Sequence, residues 1–308
     1  MLILKHNNPR NAIAATVGFF DGVHAGHRFL IAQLGDLARR KGLEPAVITF
    51  GEHPQRVLGD GYRPMLLNSF DEKMELLASL DIKYCILMPF TAELASLQAS
   101  DFIGILAKEW QVKALLVGYD NRFGKNRRDG FEEYYAYGQS SGIEVFEAQR
   151  LDSEPPAVSS SHIRKLLAEG QVEEARLCLA YPYRLAGRII HGRKIGRTIG
   201  FPTANIEINE PLKLIPACGV YAVNVALDRR SPMRGMLYIG SRPTLGKDNH
   251  VAVEVHIFNF EGEAYNGLIS VELLRYIRAD MRFDSLDELK EQLRLDQQVI
   301  QSYFNNGK

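Results

Sequence analysis

The sequence is short of cysteine. It has three in 308 residues, namely Cys85, Cys178 and Cys218, and no CxxC pair. That excludes a disulfide framework and CxxC-type structural zinc. Each cysteine sits among apolar neighbours and reads as a small core residue, so a reducing cytoplasm is the expected location. Long hydrophobic runs are also missing. None approaches the roughly 20 apolar residues that span a bilayer, and the opening MLILKHNNPR lacks the apolar stretch of a signal peptide. Nor is there an excess of charge: 37 basic and 37 acidic residues cancel, which excludes strong general affinity for nucleic acid or anionic membrane. No internal repeat and no low-complexity stretch is present. The one Trp, Trp110, reads as packing its own helix.

What is present is core-forming material. Apolar residues make up 46% of the chain, with 15 Phe and 13 Tyr, too many for a disordered chain. At roughly 150 residues per domain the length points to two domains. The first half alternates strands with helices. Ala12–Gly18, Pro45–Phe50, Lys83–Met88, Val112–Gly118 and Ile143–Ala148 read as short buried strands. Gly26–Lys41, the segment opened by the capping box Ser69…Glu72, Ser100–Trp110 and Phe131–Ser141 carry the helical period. This is the signature of βαβ units and a parallel sheet with helices on both faces. Ser159–Glu169 and Val172–Ala180 then read as a helical pair.

Near Tyr181-Pro182-Tyr183 the helical period stops. Arg184–Ile190, Gly219–Leu227, Gly235–Ile239, Val251–Phe260 and Ile269–Tyr276 read as strands broken by Gly, Pro and Asn clusters, the pattern of an antiparallel barrel or sandwich. A second capping box, Ser285 with Glu288, opens a closing helix whose apolar stripe runs from Leu286 to Phe304. The domain boundary is therefore expected near residue 182, giving domains 1–181 and 182–308.

Two constellations carry chemistry. The first follows the first long strand and opens the first helix: Gly18-Phe19-Phe20-Asp21-Gly22-Val23-His24-Ala25-Gly26-His27. A helix N-terminus offers free N–H groups and positive partial charge to a phosphate. Gly22 and Gly26 admit close backbone approach, and His24 and His27 lie one turn apart. A plain turn, or a metal site of Asp21, His24 and His27, are the alternatives. Ser160 and Ser161 can cap the helix of the later pair and donate to a phosphate, with Arg164 adding a cationic fork, or can simply cap. Asn121–Arg128 collects Arg122, Lys125, Arg127 and Arg128 around Gly124. It is either a solvated loop or a lid over phosphates or a flavin.

The second constellation is Gly192-Arg193-Lys194-Ile195-Gly196-Arg197-Thr198-Ile199-Gly200-Phe201-Pro202-Thr203-Ala204-Asn205. Glycines every fourth residue with basic residues between them suit a phosphate-wrapping loop. A basic hairpin followed by an edge strand fits the spacing equally. Thr203 and Asn205 share a face of an extended segment, and hard oxygens suit magnesium. On Val251–Phe260 the valines at 251, 253 and 255 take one face, and Glu254 and His256 the other. A carboxylate in such company needs a role or a cross-strand partner.

These segments resemble one family. GFFDGVHAGH resembles the GxFDGxHxGH form of the nucleotidyltransferase HxGH motif found in bacterial bifunctional riboflavin kinase/FAD synthetases. Thr49–Pro54 resembles that family's TFxPHP segment with Glu52 for proline, and Gly118–Gly124 its GxDFRFG segment with Asn121 for Phe. Val158–Arg164 resembles its ISSTxIR motif. Gly192–Asn205 is similar to GxxxGRxxGFPTAN, Leu214–Tyr221 to LxPxxGVY, and Val253–Phe258 to VExHIF. Ile277–Phe283 is similar to LRxExKF with Asp280 for Glu. The likeness runs from about residue 12 to 304. It implies a Rossmann-like α/β nucleotidyltransferase domain and a six-stranded antiparallel riboflavin-kinase barrel with a terminal helix. The first would make FAD from FMN and ATP, and the second FMN from riboflavin and ATP, with Mg2+. Glu254 is then implied as the kinase base and Thr203 and Asn205 as magnesium ligands. Gly192, Arg193, Lys194, Gly196, Arg197 and Gly200 would wrap ATP phosphates. In the other domain Gly18, Phe19, Asp21, Gly22, Gly26, Ser160 and Ser161 would hold ATP, and His24, His27 and Arg164 would act on the leaving pyrophosphate. Asp120, Arg122, Phe123 and Arg278 are implied flavin contacts. The expected partners are these small molecules. A flavin sensor on a retired enzyme scaffold is the competing class, against which the intact His24, His27, Thr203, Asn205 and Glu254 argue.

Overall fold

The computed structural model describes residues 1–5, 9–52, 64–125, 128–152, 158–192, 195–228, 232–242, 250–260, 262 and 267–306. It divides into two compact units, Met1–Ser160 and Ser161–Lys308.

In the first unit the strands β1 (Leu2–Leu4), β2 (Ile13–Val17), β3 (Glu44–Phe50), β4 (Tyr84–Met88), β5 (Val112–Val117) and β6 (Glu144–Glu147) form one sheet in the order β1-β4-β3-β2-β5-β6. Every neighbouring pair is parallel. β2 is buried along its whole length, as a central parallel strand covered on both faces must be. The order reverses at β2, between β3 on one side and β5 on the other, and ligands of open α/β sheets bind outside the strand ends at such a point. Helix α1 (Ala25–Lys41) buries Ile31, Leu34, Leu37 and Ala38 and stops at Gly42 in the left-handed conformation. Helix α2 (Phe70–Ala78) starts on the expected capping box, with Ser69 and Glu72 bonding reciprocally. The strands expected from Ala12 to Ala148 are all present. The edge strand β1 was not expected, being three residues long and below the length at which alternation is readable.

In the second unit the strands β7 (Tyr183–Ile190), β8 (Ala204–Glu207), β9 (Gly219–Leu227), β10 (Met233–Arg242), β11 (His250–Ile257) and β12 (Leu268–Ala279) close into a barrel in the order β10-β11-β8-β7-β12-β9. All neighbours are antiparallel. Tyr221, Val223 and Val225 of β9 are fully buried, and so are the alternate residues Val220 and Ala222. The second set packs with Ile199, Phe201, Met236 and Phe258 beneath Ile300 of the terminal helix Leu286–Asn306. The helical pair Ser160–Ala168 and Val172–Leu179 packs on this barrel. The Ala217 amide donates to the Leu167 carbonyl, and the Tyr276 amide donates to Glu173. The chain therefore divides at residue 160/161, some twenty residues before the change of hydrophobic period near 182 (182 minus 161).

Candidate active sites

The turn after β2 is strained. Phe20 and Val23 have φ of 56° and 36°, and Gly22 has 83°. A β-branched residue in the left-handed region costs on the order of 1–3 kcal/mol, so the surroundings must hold it. Phe20 and Val23 are buried. Asp21, also buried, accepts from the amides of Leu67 (3.0 Å) and Asn68 (3.4 Å). The Val23 carbonyl accepts from Arg28 Nε. The Ser160 hydroxyl donates to the Asp21 carbonyl at 2.9 Å. Asp21 thus spends its carboxylate on backbone amides.

The turn delivers His24 as the N-cap of α1, its Nδ1 accepting from the His27 amide. The two imidazoles stack, with centroids 3.6 Å apart and planes 15° from parallel. Gly26 permits this, because a Cβ there would stand 3.3 Å from the His24 ring. His24 is 7% exposed, and burial lowers its pKa from 6.5 to about 4. His27 is also held well below 6.5, first by desolvation and then by the positive charges of His24 and Lys73. Both rings are therefore neutral at pH 7. With Nδ1 of His24 accepting, its proton sits on Nε2. His27 Nδ1 is buried and has no hydrogen-bond partner among the described residues.

Across the reversal point, Asn121 donates its side-chain amide to the Val17 carbonyl at 2.6 Å, linking the loop after β5 to the end of β2. Asp120 is exposed. Arg122 donates to the Asp129 carbonyl. The Phe123 ring stacks on Tyr134 at 4.2 Å, so one face is already covered. Glu52 is exposed just past β3, while His53, Pro54 and Arg127 lie outside the described residues. Ser161 is exposed and Arg164 half-buried on the helix that starts at Ser160.

In the barrel unit the strand register assembles the second set. Glu254 on β11 lies opposite Tyr238 on β10 and opposite Asn205 on β8, so the three side chains share one face. The Thr203 hydroxyl donates to Glu254 Oε2 at 3.2 Å, and His256 Nδ1 contacts the Pro202 carbonyl at 2.8 Å. Gly192 packs on the Asn205 side-chain amide, where a Cβ would come within 2.0 Å. No other residue fits there without moving Asn205. Gly196 and Arg197 fall in the short helix Ile195–Thr198, and Gly200 follows. Arg193 and Lys194 lie outside the described residues. A cavity of about 320 Å³ is lined by Thr203, Tyr238, Glu254, His256, Arg278 and Asp280 and by apolar side chains including Met281, Phe283, Leu289 and Leu293. Arg278 forms a bidentate pair with the buried Asp296, at 2.9 and 2.8 Å, and also donates to the Ala279 carbonyl. Its planar fork is thus largely engaged within the protein.

The Thr203 hydroxyl and the Asn205 side-chain carbonyl offer hard oxygen ligands beside the Glu254 carboxylate, which suits a divalent cation sharing its sphere with phosphates. Among the described residues no group of three or more His, Cys, Asp or Glu forms a metal cluster. Sequence reasoning did not single out Lys73 and Asp296. Both read as helix-surface charges, and only their burial, 4% and 2% exposed, marks them.

Two family models together match most of the chain. The family model described as FAD synthetase matches residues 6–162, and that described as riboflavin kinase matches 179–304. The chain is 35% identical over 292 residues to a bifunctional riboflavin kinase/FMN adenylyltransferase of Listeria monocytogenes, covering 94% of this chain and 91% of that one. It is 35% identical over 297 residues to the protein of that name from Escherichia coli, covering 96% and 94%. A crystal structure described as a macrolide-efflux protein from Streptococcus pneumoniae superposes with a TM-score of 0.90 at 30% identity, covering 98% of this chain and 99% of that one. In the present chain no described helix is long and apolar enough to cross a membrane.

Proposed function

Because the chain belongs to the bifunctional riboflavin kinase/FMN adenylyltransferase family, we propose how its residues divide the two reactions that it performs, riboflavin to FMN and FMN to FAD. We assign the adenylyl transfer to residues 1–181 and the phosphoryl transfer to residues 182–308.

In the kinase half the flavin ring lies against Met281, Phe283 and Leu293, and the ribityl chain reaches Glu254. The Glu254 carboxylate takes the proton of the 5′-hydroxyl as that oxygen attacks the γ-phosphorus and ADP departs. Thr203 and Asn205 would hold magnesium, which supplies neutralisation of phosphate charge when bound. Gly192–Gly200 wraps the phosphates, with Arg193, Lys194 and Arg197 as cations. Arg278, braced by Asp296, shapes the cavity wall. The Thr203–Glu254 hydrogen bond beside Asn205 is the observation that carries this assignment.

In the adenylyl half an FMN phosphate oxygen attacks the α-phosphorus of ATP and pyrophosphate leaves, so no proton need move. Protein contributes alignment and charge stabilisation. The neutral His24 and His27 act as N–H donors, the helix N-terminus adds its partial charge, and Arg164 adds full charge. Gly18, Phe19, Gly22 and Gly26 allow ATP to approach, Ser160 and Ser161 donate to phosphate, and Asp120, Arg122 and Phe123 border the flavin. Asp21 holds the turn from behind. A cytoplasmic location fits such small-molecule chemistry. The test is a time course separating riboflavin, FMN and FAD for His27→Ala and Glu254→Gln, started once from riboflavin and once from supplied FMN so that each step is read by itself. Each variant is expected to stop one step and spare the other, and loss of both steps in either folded variant refutes the division.

A further inference from the structure

Lys73 lies on α2, 4% exposed. Its ammonium donates to the Phe50 carbonyl at 3.0 Å, the Phe19 carbonyl at 3.2 Å and the Thr49 hydroxyl at 3.5 Å. Those bonds use all the donors an ammonium has. It also stands 4.2 Å from the centroid of the Phe19 ring, and Thr49 itself donates to the Phe19 carbonyl. Burying an ammonium is costly even when it is hydrogen-bonded, and a Met would fill the same space without that cost. Its position gives the charge a use. Phe19 belongs to the strained turn after β2, and Thr49 and Phe50 end β3. Both strand ends border the point where ligands of such sheets bind. The field of the ammonium also reaches His27.

We propose that Lys73 is a positioning residue for adenylyl transfer: it clamps the Phe19–Gly22 turn to the end of β3 and keeps a buried positive charge behind His27. The inference rests on reading the histidine turn as the adenylyl-transfer site. The charge does two things there. It opposes protonation of His27, so the ring remains a neutral N–H donor. It also adds positive potential where a polyphosphate must sit, without touching the substrate.

The charged and titratable groups around Lys73 are Asp21, Cys85 and His27, together with Glu72 on its own helix, whose carboxylate accepts from the Ser69 amide. Desolvation lowers Lys73 to about 8, against the raising influence first of Asp21 and then of Cys85. Cys85 is itself pushed up to about 11 by burial. Burial thus brings Lys73 within reach of neutrality, and its charge is lost as pH rises through about 8.

The experiment uses the full chain and follows FMN to FAD with Mg-ATP across pH, with riboflavin phosphorylation measured in the same samples. kcat/KM reports the free enzyme, so for FAD formation it is expected to fall above about pH 8. Bound polyphosphate stabilises the cation, so the limb in kcat should move to higher pH. Lys73→Met is expected to lose about 10²-fold in kcat/KM for FAD formation, the scale of a small misplacement of reacting groups. It should also lose the alkaline limb, with phosphorylation unchanged. A folded Lys73→Met with wild-type kcat/KM, or with the limb retained, overturns the proposal. If that variant does not fold, the wild-type profile decides: a limb near 8 supports it and a flat profile overturns it. His27→Ala run in parallel separates the causes. FAD formation surviving in His27→Ala refutes the site, whereas loss there with survival in folded Lys73→Met refutes the role of Lys73 alone.

Discussion

Glu254→Gln removes the proton acceptor while keeping volume and one carbonyl-type oxygen. In the barrel unit that oxygen can still accept from the Thr203 hydroxyl, now 3.2 Å from Oε2. Replacing a charged acceptor by a neutral one weakens such a bond by about 1 kcal/mol. The residue is half-buried at the cavity wall rather than in the barrel interior, so solvent offsets part of that. For a unit of this size about 1 kcal/mol corresponds to roughly 3 °C in Tm. The effect on chemistry should be far larger. A general base contributes about 10²–10⁴ in rate, which at about 1.36 kcal/mol per decade is about 2.7–5.4 kcal/mol of barrel-site transition-state stabilisation. The assay measures riboflavin disappearance, FMN and FAD by chromatography, with melting followed in parallel. Riboflavin phosphorylation should drop by that factor with riboflavin affinity retained. FAD formation from supplied FMN should continue at the wild-type rate, and FAD formation from riboflavin should stall for lack of FMN. A folded variant that phosphorylates riboflavin at the wild-type rate refutes the base assignment. A large fall in Tm with unchanged turnover per folded molecule would make Glu254 a structural partner of Thr203.

His27→Ala should lower FAD formation from FMN by about 10²–10³ and leave phosphorylation intact, as read by the two half-reactions on one preparation. A fragment covering 161–308 should phosphorylate riboflavin and melt several degrees above 182–308. The shorter piece lacks Leu167, Val172 and Leu179, all fully buried and worth about 1.5–3 kcal/mol each; equal melting temperatures would refute that contribution. The N-terminal unit should lose stability on acidification. His24 has its folded pKa depressed from 6.5 to about 4, so the unfolded chain binds the extra proton between those values. Stability is then fully present above about 6.5 and falls as pH drops to about 4, by about 3 kcal/mol for this ring. His24→Asn, which keeps an N-cap acceptor, should reduce that pH dependence of melting to the part contributed by His27, itself held below 6.5 by burial, and an unchanged slope would count against a buried neutral His24 imidazole.

Element types and the two motif-bearing segments were legible in local spacing. A central parallel strand, an amphipathic helix and a capping box are local patterns, so Ile13–Val17, Ala25–Lys41 and Ser69 with Glu72 were readable from spacing. The turn from Gly18 to His27 was readable too, because strand, glycines and helix start are contiguous. What required the tertiary structure was every relation set by chain segments far apart. Glu254 meets Thr203 and Asn205 only through the β8–β11 register. Arg278 is bound by Asp296 only because the terminal helix lies over the barrel. The helical pair falls in the barrel unit from Ser161 on, although its period resembles the helices before it. Helical spacing reports that a face will be buried, not which neighbour buries it. Lys73 is the clearest case. One turn into a capped helix it reads as solvated charge, and burial by Phe19, Thr49 and Phe50, from two other segments, makes it a clamp. Desolvation and strand register are sums over non-local contacts, and no local window of sequence contains them.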